Sequence, residues 1–187
     1  MPASRLKEIT TLGQAIWIDD LNRRLLDEGE LARMIEEDGL TGVTSNPTIF
    51  AKAAASDRET LRRVAADADD PRDVFFRLAY EDIRKAADLL RGVYDRTGGR
   101  DGYVSFELPP ELAYDVDGAV AAARRFRDEI GRENVLIKVP GTEEGVRAFE
   151  ELTADGVSIN VTLLFAVERY EQIAEAYLRG LERRVAR

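Results

Sequence analysis

The chain has 187 residues, of which 44% are hydrophobic and 34% charged, so it can form one domain with a substantial core and has the composition of a soluble globular protein. Its formal net charge of -9 disfavours nucleic acid and anionic membranes as partners, and no apolar stretch approaches the roughly 20 residues needed to span a bilayer. Because the sequence contains no histidine and no cysteine, imidazole catalysis, thiolate catalysis and the usual zinc sites are excluded.

The N-terminal segment and the absence of cysteine bear on where the protein works. Met1–Glu8 lacks the apolar core of a secretion signal, and a chain without disulfides is consistent with the cytoplasm. No internal repeat, low-complexity tract or Pro/Gly-rich linker interrupts the sequence. We therefore expect a cytoplasmic protein with a single domain over residues 1–187.

Short apolar segments alternate with longer amphipathic segments along the chain. Strands are predicted at Ala15–Asp19, Gly42–Ser45, Tyr103–Glu107, Val135–Val139 and Val157–Thr162. Helices are predicted at Leu21–Glu37, Asp57–Ala66, Val74–Tyr94, Asp117–Ile130, Glu143–Leu152 and Ala166–Arg187, with Asp70-Pro71 beginning the longest. Gly39, Gly131 and Gly156 should end helices before the next strand. Strands separated by helices indicate βαβ units and a parallel sheet.

Each predicted strand has an apolar face and a second face that becomes polar toward its C-terminal end. Because side chains alternate along a strand, Val135, Ile137 and Val139 share one face and Lys138 lies on the other. The corresponding polar positions of the other strands are Asp19, Thr44, Asn46, Ser105, Glu107, Ser158, Asn160 and Thr162. In a (β/α) barrel the apolar faces would lie under the helices and the polar residues would point inward at the mouth.

Two other sheet architectures fit this pattern less well. A half-solvated antiparallel sheet shows the same alternation, but the intervening helices disfavour it. An open doubly wound sheet would have nearly all-apolar strands and usually a Gly-rich phosphate loop, and the sequence shows neither. The predicted fold is therefore an α/β structure of the (β/α)8 TIM-barrel type, with about the first five βα units in this chain.

Lys138 lies in the apolar run Asn134-Val135-Leu136-Ile137-Lys138-Val139-Pro140, which predicts a buried strand. Burial disfavours a charged amine, so we expect the pKa of Lys138 to be lowered and a nucleophilic fraction to exist near neutral pH. The alternative is structural, because a lysine in a strand more often faces solvent or pairs with a carboxylate.

The other polar residues also have structural alternatives. Asp19 could cap the helix that follows it, although Asp20 fits that role better by position and by face. Asn46 stands before a proline, a common loop arrangement, and Glu107 could be a solvated strand end. Asn160 and Thr162 could be ordinary polar residues of the core.

Taken together, these residues would place an amine, two carboxylates, two amides and a hydroxyl at one end of one sheet, which are the groups that Schiff-base chemistry uses. The amine would attack a ketone carbonyl, and one carboxylate, acting through water, would move the protons needed to lose hydroxide. A second carboxylate would take a proton from a hydroxyl during carbon–carbon cleavage, while the amides hold the hydroxyls of a polyol. Such chemistry requires no metal and no organic cofactor.

Five motifs, in the same order along nearly the whole chain, resemble the signatures of transaldolases. They are Ile16-Trp17-Ile18-Asp19-Asp20-Leu21-Asn22-Arg23, Gly42-Val43-Thr44-Ser45-Asn46-Pro47-Thr48-Ile49-Phe50, Tyr103-Val104-Ser105-Phe106-Glu107-Leu108, Val135-Leu136-Ile137-Lys138-Val139-Pro140-Gly141-Thr142 and Ser158-Ile159-Asn160-Val161-Thr162-Leu163-Leu164-Phe165. The second motif departs slightly from the family, which more often has threonine where Ser45 stands. Any one of these motifs is weak, but five in series are highly specific.

The resemblance implies a cofactor-free class I enzyme of the pentose phosphate pathway that acts on sugar phosphates. It would move a dihydroxyacetone unit from sedoheptulose 7-phosphate or fructose 6-phosphate to an aldose phosphate. By motif position, Lys138 would form the Schiff base and Asp19 would be the acid/base at carbon–carbon cleavage and formation. Glu107, with Thr162, would position a water for Schiff-base formation and hydrolysis. The residues implied in substrate binding are Asn46 and Asn160, for the hydroxyls of the three-carbon unit, and Thr44, as part of the pocket lining.

The length of the chain departs from the resemblance. A full barrel has eight βα units and typically about 250 residues, and the sixth-strand serine and arginine and a later arginine that bind phosphate in the family are not in this sequence. The chain could be a fragment of a longer transaldolase, could self-associate or pair with a complementary C-terminal half-barrel, or could fold alone as a partial barrel. Two exposed edge strands would favour association, so we expect the isolated chain not to be a well-behaved monomer.

Two other functions fit the sequence. A fructose 6-phosphate aldolase, a smaller relative using the same lysine, would release free dihydroxyacetone, but the Trp17–Arg23 signature and Glu107 favour a transaldolase. A catalytically silent barrel fragment or assembly partner would form no covalent adduct at Lys138.

Overall fold

A computed structural model describes residues 4–46, 58–66 and 70–187. The start of the predicted helix at Asp57 and the motif residues 47–50 lie outside these ranges. Five parallel strands form one sheet, and their order in the sheet, β1-β2-β3-β4-β5, is their order in the chain. The strands are β1 (Trp17–Ile18), β2 (Gly42–Thr44), β3 (Tyr103–Glu107), β4 (Val135–Pro140) and β5 (Ile159–Thr162).

Helices alternate with these strands. In chain order they are α1 (Arg5–Thr10), α2 (Arg23–Asp27), α3 (Glu30–Arg33) with a π-helical turn at Met34–Asp38, α4 (Arg58–Ala65), α5 (Pro71–Thr97), a 3-10 turn at Pro110–Leu112, α6 (Val116–Ile130), α7 (Glu143–Ala154) and α8 (Val167–Val185). Parallel strands that alternate with helices and follow chain order are consistent with part of a (β/α)8 barrel. The predicted fold class is thereby confirmed. Within the described ranges, no helix has the length and apolarity needed to cross a membrane.

The predicted helix Leu21–Glu37 is wrong as a single element. Gly29 adopts the left-handed region at φ 74° and separates α2 from α3, because a left-handed residue cannot continue the helical hydrogen-bond ladder. Asn22, not Asp20, is the N-terminal cap of α2, since its side chain accepts a hydrogen bond from the Leu25 amide at 3.0 Å. Asp20 instead accepts a hydrogen bond from the Asn22 side-chain amide at 3.1 Å.

Other helix boundaries agree closely with the sequence signals. Asp70 caps α5 through the Asp73 amide at 2.8 Å, as expected, but the helix runs three residues beyond Tyr94. Gly39 and Gly131 end helices at φ 75° and 61°, whereas Gly156, at φ 75°, follows the actual cap, Asp155. The sequence did not predict α1 or the short turn at Pro110–Leu112.

The described residues up to Val104, together with Arg132–Asn134, pack as one compact unit. Its largest fully buried apolar side chains come from α3, β2, the start of β3, the long helix α5 and the segments just before α2 and β2: Leu21, Leu31, Leu40, Val43, Ile83, Leu90, Val93 and Val104. Asn134 is buried here with its side-chain amide donating to the carbonyls of Ala87 and Gly102, at 2.8 and 2.9 Å. This unit carries the ends of β1 and β2.

Ser105–Gly131 and Val135–Arg187 form the other compact unit. Phe106 and Phe126 pack with ring centroids 5.3 Å apart, and α7 packs on α8 around the cluster Val146, Phe149, Ile173 and Ala176. Along β4 the alternation is as predicted, because Val135, Ile137 and Val139 are buried while Leu136, Lys138 and Pro140 are partly exposed. This unit carries the C-terminal ends of β3, β4 and β5.

Candidate active site

Lys138 on β4 and Glu107 at the end of β3 form an ion pair between neighbouring strands. Nζ of Lys138, on β4, lies 3.1 Å from Oε2 of Glu107, the last residue of β3, and the two side chains are 14% and 22% exposed. The Leu108 amide donates to the Lys138 carbonyl at 3.0 Å, which ties the chain after Glu107 to β4. An amine within hydrogen-bond distance of a carboxylate can pass it a proton and become a nucleophile.

An ion pair of this kind is also what a structural strand lysine makes, so the neighbouring groups matter. In the register of β4 and β5, Asn160 stands opposite Lys138, and Thr162 stands opposite Pro140. Both side chains are partly exposed, as are all four residues of β5. The structure thus brings an amine, a carboxylate, an amide and a hydroxyl together at the ends of three strands of one unit.

Ser105 is a member of this group that sequence reasoning placed on the right face but did not assign to the site. It is fully buried in the middle of β3, and its Oγ accepts a hydrogen bond from Nδ2 of Asn160 at 2.9 Å. The alternation of β3 puts Ser105 on the same face as Glu107. That alternation was the only signal in the sequence that could have identified it.

The backbone at the end of β5 has an unusual conformation. Leu163, directly after Thr162, has φ 58°, and within the described ranges it is the one residue other than glycine in the left-handed region. The Gly141 amide donates to the Thr162 carbonyl at 2.8 Å, and a β-carbon on Gly141 would lie 3.0 Å from Cδ1 of Leu164. A glycine at position 141 therefore allows the ends of β4 and β5 to approach closely.

The remaining predicted site residues lie in the unit that carries β1 and β2. Asp19 directly follows β1 and is exposed, Thr44 ends β2 and is half-buried, and Asn46 is exposed two residues later. Residues Trp17 and Ile18 pair with Gly42 and Val43. Among the residues that the structure describes, Oγ1 of Thr44 is buried and has no hydrogen-bond partner.

The Trp17 side chain on β1 contacts both Asp101 and Gly42 of β2. Its Nε1 donates to Oδ1 of Asp101 at 3.1 Å, and its ring covers Gly42 so closely that a β-carbon there would lie 2.1 Å from it. Asp19 shares the Trp17 face by alternation. In the described part of the chain, no cluster of three or more Asp and Glu side chains is arranged to hold a metal ion.

Comparison with known proteins gives consistent results. The family model described as "Transaldolase/Fructose-6-phosphate aldolase" matches residues 16–186. The chain is 46% identical over 190 residues to "Transaldolase 2" of Nostoc punctiforme, with 100% of this chain and 50% of that protein covered. It is 48% identical over 186 residues to "Transaldolase" of Thiobacillus denitrificans, covering 96% and 51%, and 44% identical over 184 residues to "Transaldolase" of Neisseria gonorrhoeae, covering 97% and 52%. The chain thus spans about half the length of the curated relatives it matches.

Proposed function

This chain belongs to the transaldolase/fructose-6-phosphate aldolase family, and we propose that it supplies the Schiff-base half of a transaldolase active site. The substrates would be a ketose phosphate donor, such as fructose 6-phosphate or sedoheptulose 7-phosphate, and an aldose phosphate acceptor. The observation that carries the proposal is the pair formed by Lys138 and Glu107, 3.1 Å apart, beside Asn160 and Thr162 at the ends of parallel strands.

The first half of the reaction forms the Schiff base. Lys138 loses a proton to Glu107, and its neutral amine attacks the ketone carbonyl carbon to give a carbinolamine. Glu107, through a water held with Thr162, returns a proton to the carbinolamine hydroxyl, which leaves as water, so that an iminium remains on Lys138. Asn160 accepts a hydrogen bond from a hydroxyl of the three-carbon unit.

The second half breaks and remakes a carbon–carbon bond. By motif position, Asp19 takes the proton of the substrate hydroxyl, the carbon–carbon bond breaks toward the iminium, and an aldose phosphate leaves. The enamine that remains attacks the aldehyde of the acceptor, Asp19 returns the proton, and water releases the new ketose from Lys138. In the same proposal, Asn46 holds a second hydroxyl and Thr44 lines the pocket.

Borohydride trapping tests this proposal directly. The chain is incubated with fructose 6-phosphate and sodium borohydride, and the adduct is located by intact mass and peptide mapping. We expect a reduced adduct on Lys138 and none in Lys138→Arg, which keeps a positive charge beside Glu107 but forms no such imine. A folded parent chain without an adduct would contradict activity in this chain and would favour a catalytically silent fragment.

A second candidate is a fructose 6-phosphate aldolase, because the description of the matched family includes that activity. The two are separated by adding an aldose phosphate acceptor and measuring the products. A transaldolase gives a new ketose phosphate only when acceptor is present, whereas an aldolase releases dihydroxyacetone without it. The curated relatives named above are transaldolases, which favours transfer.

Separate alanine replacements of Asp19 and Asp20 test the assignment of Asp19 as the general acid/base. Both carboxylates are exposed, but Asp20 accepts a hydrogen bond from Asn22 at the start of α2. Asp19→Ala should lower the rate of carbon–carbon cleavage about a hundredfold or more, as expected for loss of a general acid/base. Asp20→Ala should change that rate little and serves as the matched control; equal losses would contradict the assignment of Asp19.

An apolar surface at the C-terminal edge of the second unit suggests the partner of this half-site. Leu163, Phe165, Val167, Tyr170 and Leu178 are each at least 59% exposed. Since the relatives are about twice as long, this surface would pack against βα units equivalent to their other half, on the same or a second polypeptide. That half would also supply the groups that bind the substrate phosphate.

The partner proposal is tested by adding the separately produced other half of a relative. We expect a complex by size-exclusion chromatography and weaker association for Phe165→Asp, since Phe165 is 90% exposed. Leu12→Asp, which changes an 84% exposed residue in the first unit, is the matched control. Unchanged elution with both halves folded would contradict it.

A further inference from the structure

We propose that Ser105 is a positioning residue, one that fixes the orientation of the Asn160 side-chain amide and thereby presents its carbonyl oxygen to the bound ketose. The inference rests on the proposed function and goes beyond it by assigning a role to a residue that does not itself touch the reacting atoms. Its basis is the hydrogen bond from Nδ2 of Asn160 to Oγ of Ser105, at 2.9 Å.

The two residues lie on alternate strands. Ser105 is on β3 and Asn160 on β5, and their hydrogen bond crosses the face of β4 that bears Lys138. In parallel barrels, alternate strands supply the side chains of one interior layer, which brings residues of β3 and β5 together. The contact is therefore a consequence of the fold, although 55 residues separate its partners.

The burial of Ser105 makes it a rigid acceptor. It is 0% exposed, between Val104 and Phe106, which are 0% and 3% exposed. Its hydroxyl is thus held by a strand whose side chains have little freedom to move. Asn160, by contrast, is only partly buried and stands opposite Lys138 in the register of β4 and β5.

The chemistry of the amide gives this contact a functional consequence. An asparagine side chain has a donor end and an acceptor end, and the two are exchanged by rotation about its last bond. With Nδ2 committed to Ser105, the carbonyl oxygen Oδ1 is turned away from β3 and remains available to a hydroxyl donor. A ketose bound as an imine on Lys138 carries such hydroxyls. If the amide were rotated by half a turn, its NH2 group instead of its carbonyl oxygen would meet them.

A double-variant cycle on the trapping reaction tests the role of Ser105. The rate of borohydride trapping with limiting fructose 6-phosphate is measured for the parent, Ser105→Ala, Asn160→Ala and the double variant. We expect Ser105→Ala to lower the rate about fivefold to tenfold, the effect of one hydrogen bond, and to have no further effect when Asn160 is already alanine. The matched control, Ser158→Ala, changes an exposed serine just before β5 and should leave the rate unchanged.

The outcome of the cycle is decisive because a general structural effect would behave differently. If Ser105→Ala lowered the trapping rate by the same factor with and without Asn160, the loss would not pass through the amide and the proposal would be overturned. An unchanged rate in Ser105→Ala would overturn it equally. Coupling between the two substitutions, with the parent fold retained by circular dichroism, supports it.

A second readout does not depend on activity. The sequence has only four asparagines, so the side-chain amide signals of Asn160 can be assigned by their loss in Asn160→Ala. We expect one Asn160 amide proton to exchange slowly with solvent in the parent and rapidly in Ser105→Ala. If the parent forms no adduct, the proposed function fails, yet slow exchange would still support the orientation and rapid exchange in the parent would refute it.

Discussion

Replacing Asp82 with alanine should destabilise the protein strongly, because it would leave a largely buried arginine without its main partner. Asp82 lies on α5 with 5% of its side chain exposed, and its Oδ1 is 2.8 Å from Nη2 of Arg23, whose side chain is 17% exposed. A second contact joins Nε of Arg23 to Oδ2 of Asp82 at 3.4 Å. After the replacement, Glu81, 3.5 Å from Nη2, is the carboxylate in the described part of the chain that would still contact the guanidinium.

The magnitude follows from the burial of the pair. Loss of one member of a buried ion pair typically lowers the free energy of unfolding by about 3–5 kcal/mol, and the remaining Glu81 suggests the lower end, about 3 kcal/mol. Asp88→Ala is the matched control, because Asp88 lies on the same helix, is 58% exposed and pairs with Arg132 at 2.7 Å. An exposed pair is worth at most about 1 kcal/mol, and both replacements gain the same helix propensity.

The same pair should not be strongly stabilising as a unit. Burial raises the pKa of Asp82 although the hydrogen bond and charge of Arg23 oppose that shift, so the fold disfavours the ionised carboxyl. An acid whose pKa rises on folding contributes stability below its ordinary pKa and loses it as the pH rises through the raised value. Stability of the parent should therefore fall across that interval, and Asp82→Asn should lack this component of the fall.

Urea denaturation followed by circular dichroism, at neutral pH, measures the free energies. We expect a loss for Asp82→Ala well above that for Asp88→Ala, and substantial recovery when Arg23 and Asp82 are both replaced by leucine. Equal losses for the two alanine variants would refute the argument from burial. A double leucine variant as unstable as the sum of Arg23→Leu and Asp82→Leu, each measured alone, would refute the argument that an unpaired buried charge causes the loss.

Two further predictions concern glycines and one concerns pH. Gly42→Ala should lower the free energy of unfolding by about 1–3 kcal/mol, because its β-carbon would lie 2.1 Å from the Trp17 ring. Gly92→Ala, within α5 and with the nearest atom 3.7 Å from the added β-carbon, should instead raise the free energy of unfolding by up to about 1 kcal/mol. Urea denaturation measures both variants. A change of the same sign in both would contradict the packing described. Hydrogen bonds from Arg187 and Arg124 hold the pKa of Asp155 below its usual range. The contribution of Asp155 to stability is therefore complete above the ordinary aspartate pKa and is lost as the pH falls through the lowered value. In Asp155→Asn the free energy of unfolding should therefore fall less steeply at acidic pH than in the parent. The same pH dependence in both proteins would contradict this.

The strands were predicted well where alternation extends over several residues. β3 matches its prediction at both ends, and β4 extends it by a single residue, Pro140. β1 is shorter than predicted, since Trp17 and Ile18 alone form it and pair with Gly42 and Val43 of β2. Alternation reports which face is buried, but the length of a ladder depends on the partner strand, which a local pattern does not contain.

The region after β1 shows what helical periodicity cannot reveal. The apolar spacing of Leu21–Glu37 continues through Gly29, so the pattern is that of one amphipathic helix, yet Gly29 turns the chain left-handed and divides it. The π-helical turn at Met34–Asp38 shifts the hydrogen-bond ladder by one residue without altering the sequence pattern. Breaks of this kind are set by how the helix must pack.

The same limit applies to the candidate site. Alternation placed Lys138, Glu107 and Asn160 on the polar faces of their strands. It could not show that Lys138 pairs with Glu107 or that Asn160 donates a hydrogen bond to Ser105. Those contacts join residues 31 and 55 positions apart in the chain. Nothing in the sequence pattern indicated that Asp82 is buried, since a charged residue on an amphipathic helix is ordinarily solvated.

Two largely buried ion pairs among the described residues show that burial of charge does not by itself identify a catalytic group. The side chains of Arg23 and Asp82 are 17% and 5% exposed, against 14% and 22% for Lys138 and Glu107, and their contact distance is shorter, 2.8 Å against 3.1 Å. The difference lies in what surrounds them. The first pair joins two helices, where an arginine that never loses its proton can only stabilise or destabilise the packing. The second joins two strands of the sheet beside an amide and a hydroxyl, and its cation is an amine, so a proton transfer in this pair would yield a nucleophile next to the groups that we propose hold the substrate.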